Sequence, residues 1–425
     1  MSNRFIVPVP LISFNVPVPA ISLVSAPLLF TVIALVGCGG SGGSDTISSQ
    51  NDSICATFAC QSMLENIADN VVTPMIQEFD TTASTLDSAI AAWQADPNDN
   101  ALKTAAREAW NAAMLAWQSL EVVQTGPMLE NSSLLRDSIY SWPSLSTCVV
   151  DQEVIEAEVQ GNSYDISSRT PLRKGLDALE YILYSSTLDH TCPSTTAKTE
   201  NWNTRPDAER LALRLSYAKA ASAALVTRAN ELQQSWVTDA DSFRHDLVNA
   251  GSTSSSFNSA QEAVNAISDA LFYIEKQVKD SKLAEPLGLK GGKCTQGDAD
   301  CVNFVENPLS ARSKEHLRQN LLAFQQVFLG NAANGSQGLG FDDLIDAVNG
   351  GENVSAAMEA DINSALNAID ALGGTSLQAA VTDVNGVNLA KGIHESTKNI
   401  TDRLKNDFLN ILGLSIPAAA AGDGD

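Results

Sequence analysis

The chain has 425 residues, of which 44% are hydrophobic and 6% aromatic. This apolar fraction excludes wholesale disorder, and scarce aromatic residues beside plentiful alanine favour packed helices over a β-sandwich. Lys and Arg total 26 against 50 Asp and Glu, a formal net charge of −24, which excludes nucleic acid as a partner held by charge.

The N-terminus carries an apolar run over residues 20–36 that ends in Leu-Val-Gly-Cys38 and is followed by a Gly- and Ser-rich stretch. The run is of borderline length for a transmembrane anchor, which is the alternative interpretation. A cysteine after a small residue and before a flexible linker instead favours a lipoprotein signal peptide over 1–37, with lipidated Cys38 opening a tether over 38–60. We therefore expect an exported, lipid-anchored protein. Because Gly39 rather than Asp follows Cys38, we expect the outer membrane, facing the periplasm.

The chain contains seven cysteines, and six remain once Cys38 is assigned to lipid. An even set in an exported protein predicts disulfide bonds. Proximity in sequence favours two short loops and leaves one long-range pair: Cys55–Cys60, Cys294–Cys301 and Cys148–Cys192. A zinc site needs closely spaced Cys or Cys/His pairs, which the sequence lacks.

Helical periodicity dominates from about residue 71 onward, and no stretch alternates apolar and polar residues as an amphipathic strand does. We predict helices over residues 71–93, 172–185, 206–236, 259–281, 311–329, 353–371 and 375–412. A break at Asp96–Asp99 closes the first, and a further helix with Trp110, Met114 and Trp117 on one side follows it and ends at Thr125-Gly126-Pro127. Thr170-Pro171 opens the helix over 172–185. A Ser-rich stretch at 251–259 predicts a domain boundary. The result is an all-α chain with two helical bundles in series, 61–252 and 253–425.

Standard catalytic motifs do not occur in the sequence. There is no HExxH helix, no GxSxG elbow and no phosphate-binding glycine loop. The four histidines, His190, His245, His316 and His394, show no ligand spacing, and we expect them to be solvated surface residues.

One segment carries two carboxylates beside an apolar stripe. Asp177 and Glu180 are three residues apart, share one face of a predicted helix and adjoin a row of leucines. If they are buried, they need a cation, a proton or hydrogen-bond donors. The alternative is that both are solvated, or paired with Arg173 and Lys174.

The order of several short motifs resembles the imelysin family over about residues 65–425. The motifs are Arg107-Glu-Ala-Trp110, Trp117-Gln-Ser-Leu-Glu121, Gly126-Pro127, Ile139-Tyr-Ser-Trp142-Pro143, Gly175-Leu-Asp177-Ala-Leu-Glu180, Lys282-Leu-Ala-Glu-Pro286-Leu-Gly288, Glu306-Asn-Pro308-Leu-Ser310 and the closing Gly-Asp-Gly-Asp425. The family signature is G-x-H-x-x-E, and Asp177 stands here where histidine is expected.

The resemblance implies two similar helical bundles with the signature at their interface. By position, it implies ligand-binding residues Gly175, Asp177, Glu180, Glu121, Trp142, Ser310 and Arg312. It also implies Asp177 and Glu180 as metal ligands, and a carboxylate in place of histidine favours iron or another hard cation.

We therefore predict a non-catalytic binding protein associated with iron acquisition, whose partner is an iron species or another protein. Two alternatives stay open. One is a metallopeptidase of the imelysin type, which needs a water-activating metal and a base that the sequence does not complete. The other is a structural or docking lipoprotein without a small ligand.

Overall fold

The structure, a computed structural model, describes residues 54–237, 242–290 and 293–413, and every regular element in these ranges is a helix. The α-helices are α1 Cys60–Asn66, α2 Thr73–Ala95, α3 Asn100–Glu121, α4 Glu130–Ile139, α5 Thr147–Gln160, α6 Leu176–Tyr184, α7 Asp207–Val237, α8 Phe243–Val248, α9 Ala260–Leu271, α10 Ser313–Phe328, α11 Phe341–Asp346, α12 Gly351–Asp370, α13 Leu377–Thr382, α14 Val384–Arg403 and α15 Leu409–Leu412. The predicted all-α fold is confirmed. The signal peptide over 1–37 and Cys38 lie outside the described residues.

Shorter helices of other types connect these elements. Three π-helical turns cover Ile67–Val72, Ile274–Ala284 and Leu404–Phe408. Short 3-10 turns cover Ile54–Ala56, Gly126–Met128, Gly161–Ser163, Pro171–Arg173, Ala197–Thr199, Trp202–Thr204 and Ala299–Phe304.

Side-chain caps set several helix starts. Asp99 accepts hydrogen bonds from the backbone N–H of Ala101 (2.7 Å) and Leu102 (3.3 Å), so α3 begins after the predicted break. Ser259 caps α9 through the N–H of Glu262 at 3.2 Å, and the Glu262 carboxylate accepts the N–H of Asn258 at 2.7 Å. Cap and reciprocal carboxylate together stop the chain from extending α9 backward into the Ser-rich stretch.

The N-terminal segment, residues 61–252, packs α2 against both α3 and α7, and α6 fills the space between α3 and α7. Its core is built on large aromatic side chains: Trp110, Trp117 and Trp236 are fully buried. Trp110 also donates its indole N–H to the carbonyl of Leu176 at 2.8 Å, which joins α3 to the first residue of α6.

The C-terminal segment, residues 253–425, packs α12 and α14 together, with α10 and the π-helix Ile274–Ala284 beside them. Helix α10 also packs against α3 of the N-terminal segment. The described residues form one compact unit by their contacts. The proposed boundary at 252/253 therefore stays a prediction, and the contact between α3 and α10 is where the two segments meet most closely.

All three predicted disulfide bonds are present: Cys55–Cys60, Cys148–Cys192 and Cys294–Cys301. The Cys148–Cys192 bond joins α5 to the loop that follows α6. In the described part of the chain, no helix combines the length and the apolar character required to cross a bilayer.

Three predicted helices are divided in the structure. The helix predicted over 172–185 begins only at Leu176, because Gly175 has a φ of +93° and interrupts it. The helix predicted over 259–281 ends at Leu271 and continues as a π-helix. The helix predicted over 375–412 breaks at Asp383, whose side chain caps α14 by accepting the N–H of Gly386 at 2.8 Å.

Candidate functional site

The turn into α6 is determined by one glycine. Gly175 has a φ of +93°, and a Cβ at this position would lie 2.6 Å from the carbonyl oxygen of Ile139. Any larger residue would meet both a backbone clash and a conformation that L-residues rarely adopt. Gly175 therefore allows the start of α6 to lie close to the end of α4. This close approach positions the carboxylates of Asp177 and Glu180, which follow in α6.

Asp177 is buried, with 2% of its surface exposed. One carboxylate oxygen accepts the hydroxyl of Ser141 at 2.6 Å and the N–H of Ser141 at 3.2 Å. The other accepts the N–H of Ala178 at 3.0 Å. Burial raises the pKa of Asp177 to about 7, although these hydrogen bonds act in the opposite direction. Asp177 thus holds the loop that carries Trp142.

Glu180, one turn further along α6, reaches the C-terminal segment. Its side chain accepts the amide of Asn307 at 3.0 Å and the backbone N–H groups of Leu309 and Ser310 at 3.1 and 2.8 Å. Only 4% of Glu180 is exposed, and burial raises its pKa. Asn307 adopts a φ of +49° to bring this loop around the carboxylate. Glu180 is therefore a hydrogen-bonded clamp between the two segments.

This donor environment does not fit a metal site at Asp177 and Glu180. Each oxygen of both carboxylates already accepts a protein N–H or O–H. Oδ2 of Asp177 and Oε1 of Glu180 each accept two donors, and a cation on either oxygen would have to displace a donor and leave it buried without an acceptor. Within residues 54–237, 242–290 and 293–413, no three His, Cys, Asp or Glu side chains lie together as a candidate cation site. The metal role predicted for this pair stays a prediction without geometric support.

A second buried group of charges lies where α3 meets the C-terminal segment. Lys282, 1% exposed, places its ammonium 3.0 Å from Oε2 of Glu121 and 3.0 Å from Oε1 of Glu306. It also donates to the side chains of Gln118 at 2.6 Å and Asn320 at 3.0 Å. We call these five residues the Lys282 cluster.

The two carboxylates of the Lys282 cluster are not equivalent. Burial alone would raise the pKa of Glu306, but Lys282 and the neighbouring His316 outweigh it and lower that pKa to about 2. Burial dominates at Glu121 and raises its pKa despite Lys282. Glu306 is therefore the stronger ionic partner of Lys282. It also accepts the hydroxyl of Tyr140 at 2.9 Å.

His316 corrects one prediction directly. It is fully buried at the start of α10 rather than solvated, with Nδ1 3.6 Å from Oε2 of Glu306. Neither of its ring nitrogens has a hydrogen-bond partner among the described residues. The alternative that Asp177 and Glu180 are solvated or paired with Arg173 and Lys174 is also wrong, because both are buried and bind other groups. Arg173 pairs instead with Glu153.

A cleft of about 420 Å³ opens beside these buried groups. Its lining residues are Glu121, Gln124, Arg136, Asp137, Tyr140, Ser141, Trp142, Pro143, Ser144, Thr170, Pro171, Leu172, Tyr273 and Gln277. We call it the main cleft. Glu121 accepts the hydroxyl of Tyr273 at 2.5 Å in its wall. On its rim, Arg136 lies 2.5 Å from Asp137 and donates to Gln124 at 3.2 Å.

The predicted site residues divide between different places. Glu121 and Trp142 line the main cleft, and Asp177 reaches it only through Ser141. Ser310 belongs to the loop that encloses Glu180. Arg312 lines a separate cavity of about 190 Å³ together with His316. Two predicted residues therefore face the main cleft directly.

The residues that sequence reasoning did not select are Lys282, Glu306, Tyr140, Tyr273 and His316. Lys282 and Glu306 appeared only as landmarks of the family resemblance. One signal was available for Lys282, since it follows Val278 by four residues and adjoins Leu283, so it interrupts an apolar helical stripe. Its partner Glu121 is 161 residues distant, and no local pattern joins them.

Comparison with known proteins identifies the family. The family profile described as imelysin (Peptidase_M75) matches residues 72–403. This chain belongs to the imelysin family. It is 24% identical over 309 residues to iron-regulated protein A of Synechococcus elongatus, over 73% of this chain and 74% of that protein.

Two solved structures share the imelysin-like fold of this chain, each at 17% identity. A putative iron-regulated protein A precursor from Parabacteroides distasonis has a TM-score of 0.65, covering 83% of this chain and 94% of that one. An imelysin-like protein from Psychrobacter arcticum has a TM-score of 0.62, covering 84% of this chain and 96% of that one. At this identity the likeness establishes the fold alone.

Replacing Asp177 by Asn should change the pH dependence of stability in this imelysin-family protein. The folded state raises the pKa of Asp177 from 3.8 to about 7. It therefore binds a proton that the unfolded state releases across that window, and the stability this group contributes falls as the pH rises from about 4 to about 7. The slope reaches at most about 1.4 kcal/mol per pH unit.

The measurement is chemical denaturation of wild type and Asp177→Asn from acidic to mildly alkaline pH. Wild type should lose stability relative to Asp177→Asn as the pH rises. A difference between the two proteins that stays constant across the window would contradict the buried, proton-retaining carboxyl.

Proposed function

We propose that this protein is a lipid-anchored, non-catalytic binding protein of the cell envelope that serves iron acquisition, and that the main cleft is its ligand site. The proposal rests on the residues that line the main cleft. It has an aromatic wall from Trp142 and Tyr273, a guanidinium at Arg136 and hydroxyls at Ser141 and Thr170. Apolar walls with a few polar groups are typical of small-molecule sites.

The link to iron comes from relatives. Both a sequence relative and a structural relative bear the name iron-regulated protein A. A bare hard cation prefers about six oxygen ligands, and the carboxylates of the signature already accept protein donors. We therefore propose that iron binds as a chelate that brings its own ligands. Arg136 would then contact an anionic group of the chelator.

A binding role is favoured over the metallopeptidase alternative by what the signature carboxylates do. Asp177 positions the Ser141 loop, and Glu180 fastens the 307–310 loop. Both carboxylates are engaged in holding the walls in place, whereas a catalytic metal needs protein ligands with an open coordination position. The same bonds support a rigid cleft, which lowers the entropic cost of binding.

Ferric citrate is the probe that tests the proposed site. A chain beginning at residue 45 retains the whole compact unit and is suited to calorimetry. We expect ferric citrate to bind wild type, and Arg136→Met to bind at least about tenfold more weakly, because a charge-assisted hydrogen bond contributes about 1.5–3 kcal/mol. Arg318→Met is the matched control, since Arg318 pairs with Asp370 outside the cleft.

Absence of ferric citrate binding, or equal affinity in Arg136→Met and wild type, would contradict the proposed site. Metal-dependent peptide cleavage that disappears in Glu180→Gln would establish the peptidase instead. If stably folded wild type responds to no iron chelate and cleaves no peptide, the docking role is the interpretation that remains.

The anchor is the second part of the proposal. Three disulfide bonds support an oxidising, exported location, and the sequence around Cys38 supports lipidation there. Metabolic labelling with an alkyne-tagged fatty acid should mark the wild-type protein and leave Cys38→Ala unmarked. Label retained in Cys38→Ala, or absent from both proteins, would contradict the anchor.

A further inference from the structure

A groove separate from the main cleft lies between α7 and the chain that leads into α6. It has a volume of about 320 Å³. Its lining residues are Ser138, Ile166, Ser167, Lys174, Gly175, Ala220, Ala221, Ala223, Ala224, Leu225, Thr227 and Arg228. We call it the alanine groove. Four alanines of α7 line it, so its floor is apolar and free of long side chains.

Lys174 brings a buried positive charge to the alanine groove. Only 6% of Lys174 is exposed. Its ammonium donates to two backbone carbonyls, those of Ile166 at 3.3 Å and Ser167 at 3.1 Å. Its third hydrogen has no acceptor among the described residues, and no carboxylate of those residues lies within 4.0 Å of it.

Arg228 adds a second positive charge to the same groove. Its guanidinium pairs at 2.7 Å with Glu231, one turn further along α7. This ion pair uses only some of the five N–H donors of the guanidinium. Burial lowers the pKa of Lys174 and the charge of Arg228 lowers it further, while Asp165 acts in the opposite direction. The two cations are therefore close enough to repel each other.

This pairing is unusual for a chain with a net charge of −24. A buried charge is costly unless an opposite charge compensates it. Among the described residues, Asp165 acts on Lys174 from beyond salt-bridge distance, and burial and Arg228 outweigh its effect on the pKa of Lys174. Lys174 keeps one ammonium hydrogen without an acceptor, and the ion pair of Arg228 leaves other guanidinium donors available. An apolar floor beside these two cations is complementary to an anion with an apolar body.

We propose that the alanine groove binds a medium-chain carboxylate, with the alkyl chain along the alanines of α7 and the carboxylate between Lys174 and Arg228. The stretch of α7 from Ala220 to Arg228 is about 12 Å long, at about 1.5 Å per residue. This length suits an alkyl chain of moderate size. The function goes beyond iron binding and uses none of the residues of the main cleft.

Octanoate is the probe, titrated calorimetrically into the chain beginning at residue 45. Octanoate should bind wild type, whereas acetate and octylamine should not, because acetate lacks the chain and octylamine reverses the charge. Lys174→Met should weaken octanoate binding at least about tenfold, since it removes the buried cation. Ala224→Leu should abolish binding by filling the groove.

Lys219→Met is the matched control and should bind octanoate as wild type does. Lys219 lies on the same helix but pairs with Asp87 at 2.7 Å and does not line the groove. If Ala224→Leu does not fold, Lys174→Met and the three ligands still decide the question. No octanoate binding, equal binding of octylamine, or unchanged affinity in Lys174→Met would each overturn the proposal.

Discussion

The contact between the two segments depends on one buried ammonium. Lys282 lies between Glu121 of α3 and Glu306 of the loop before α10, with 1% of its surface exposed. Removing one member of a buried ion group leaves an uncompensated charge, which costs far more than the intact group contributes. The position of α10 against α3, and with it the wall formed by Glu121 and Tyr273, therefore follows from this cluster.

The signature turn adds a second, polar attachment beside the first. Glu180 binds the 307–310 loop, and Asp177 binds Ser141, so one short helix fixes both a loop of its own segment and a loop of the other. Where the family signature has histidine, this chain has Asp177. Its pKa of about 7 means that the carboxyl changes between its protonated and ionised forms near neutral pH. The signature here fixes loops beside the main cleft, and the proposed binding function rests on the residues that line it.

The sequence predicted what local chemistry determines. The helical fold follows from apolar periodicity, the separation of α2 from α3 from the break at Asp96–Asp99, and the three disulfides from cysteine spacing in an exported chain. The late start of α6 was missed because the clash at Gly175 involves Ile139, which is distant in sequence. The burial of His316 was missed for the same reason, since its neighbours are Trp110 of α3 and Glu306 of the loop before α10.

Chemical denaturation of Lys282→Met measures how much the Lys282 cluster contributes to the free energy of unfolding. We expect a loss of about 3–5 kcal/mol, because Glu121 and Glu306 are left buried without a cation. Adding Glu121→Gln and Glu306→Gln should recover most of that loss. Lys398→Met, from a half-buried i,i+4 pair with Asp402 on one helix, should cost less than about 1 kcal/mol. A loss in Lys282→Met no larger than that of Lys398→Met, or no recovery in the triple variant, would contradict the account.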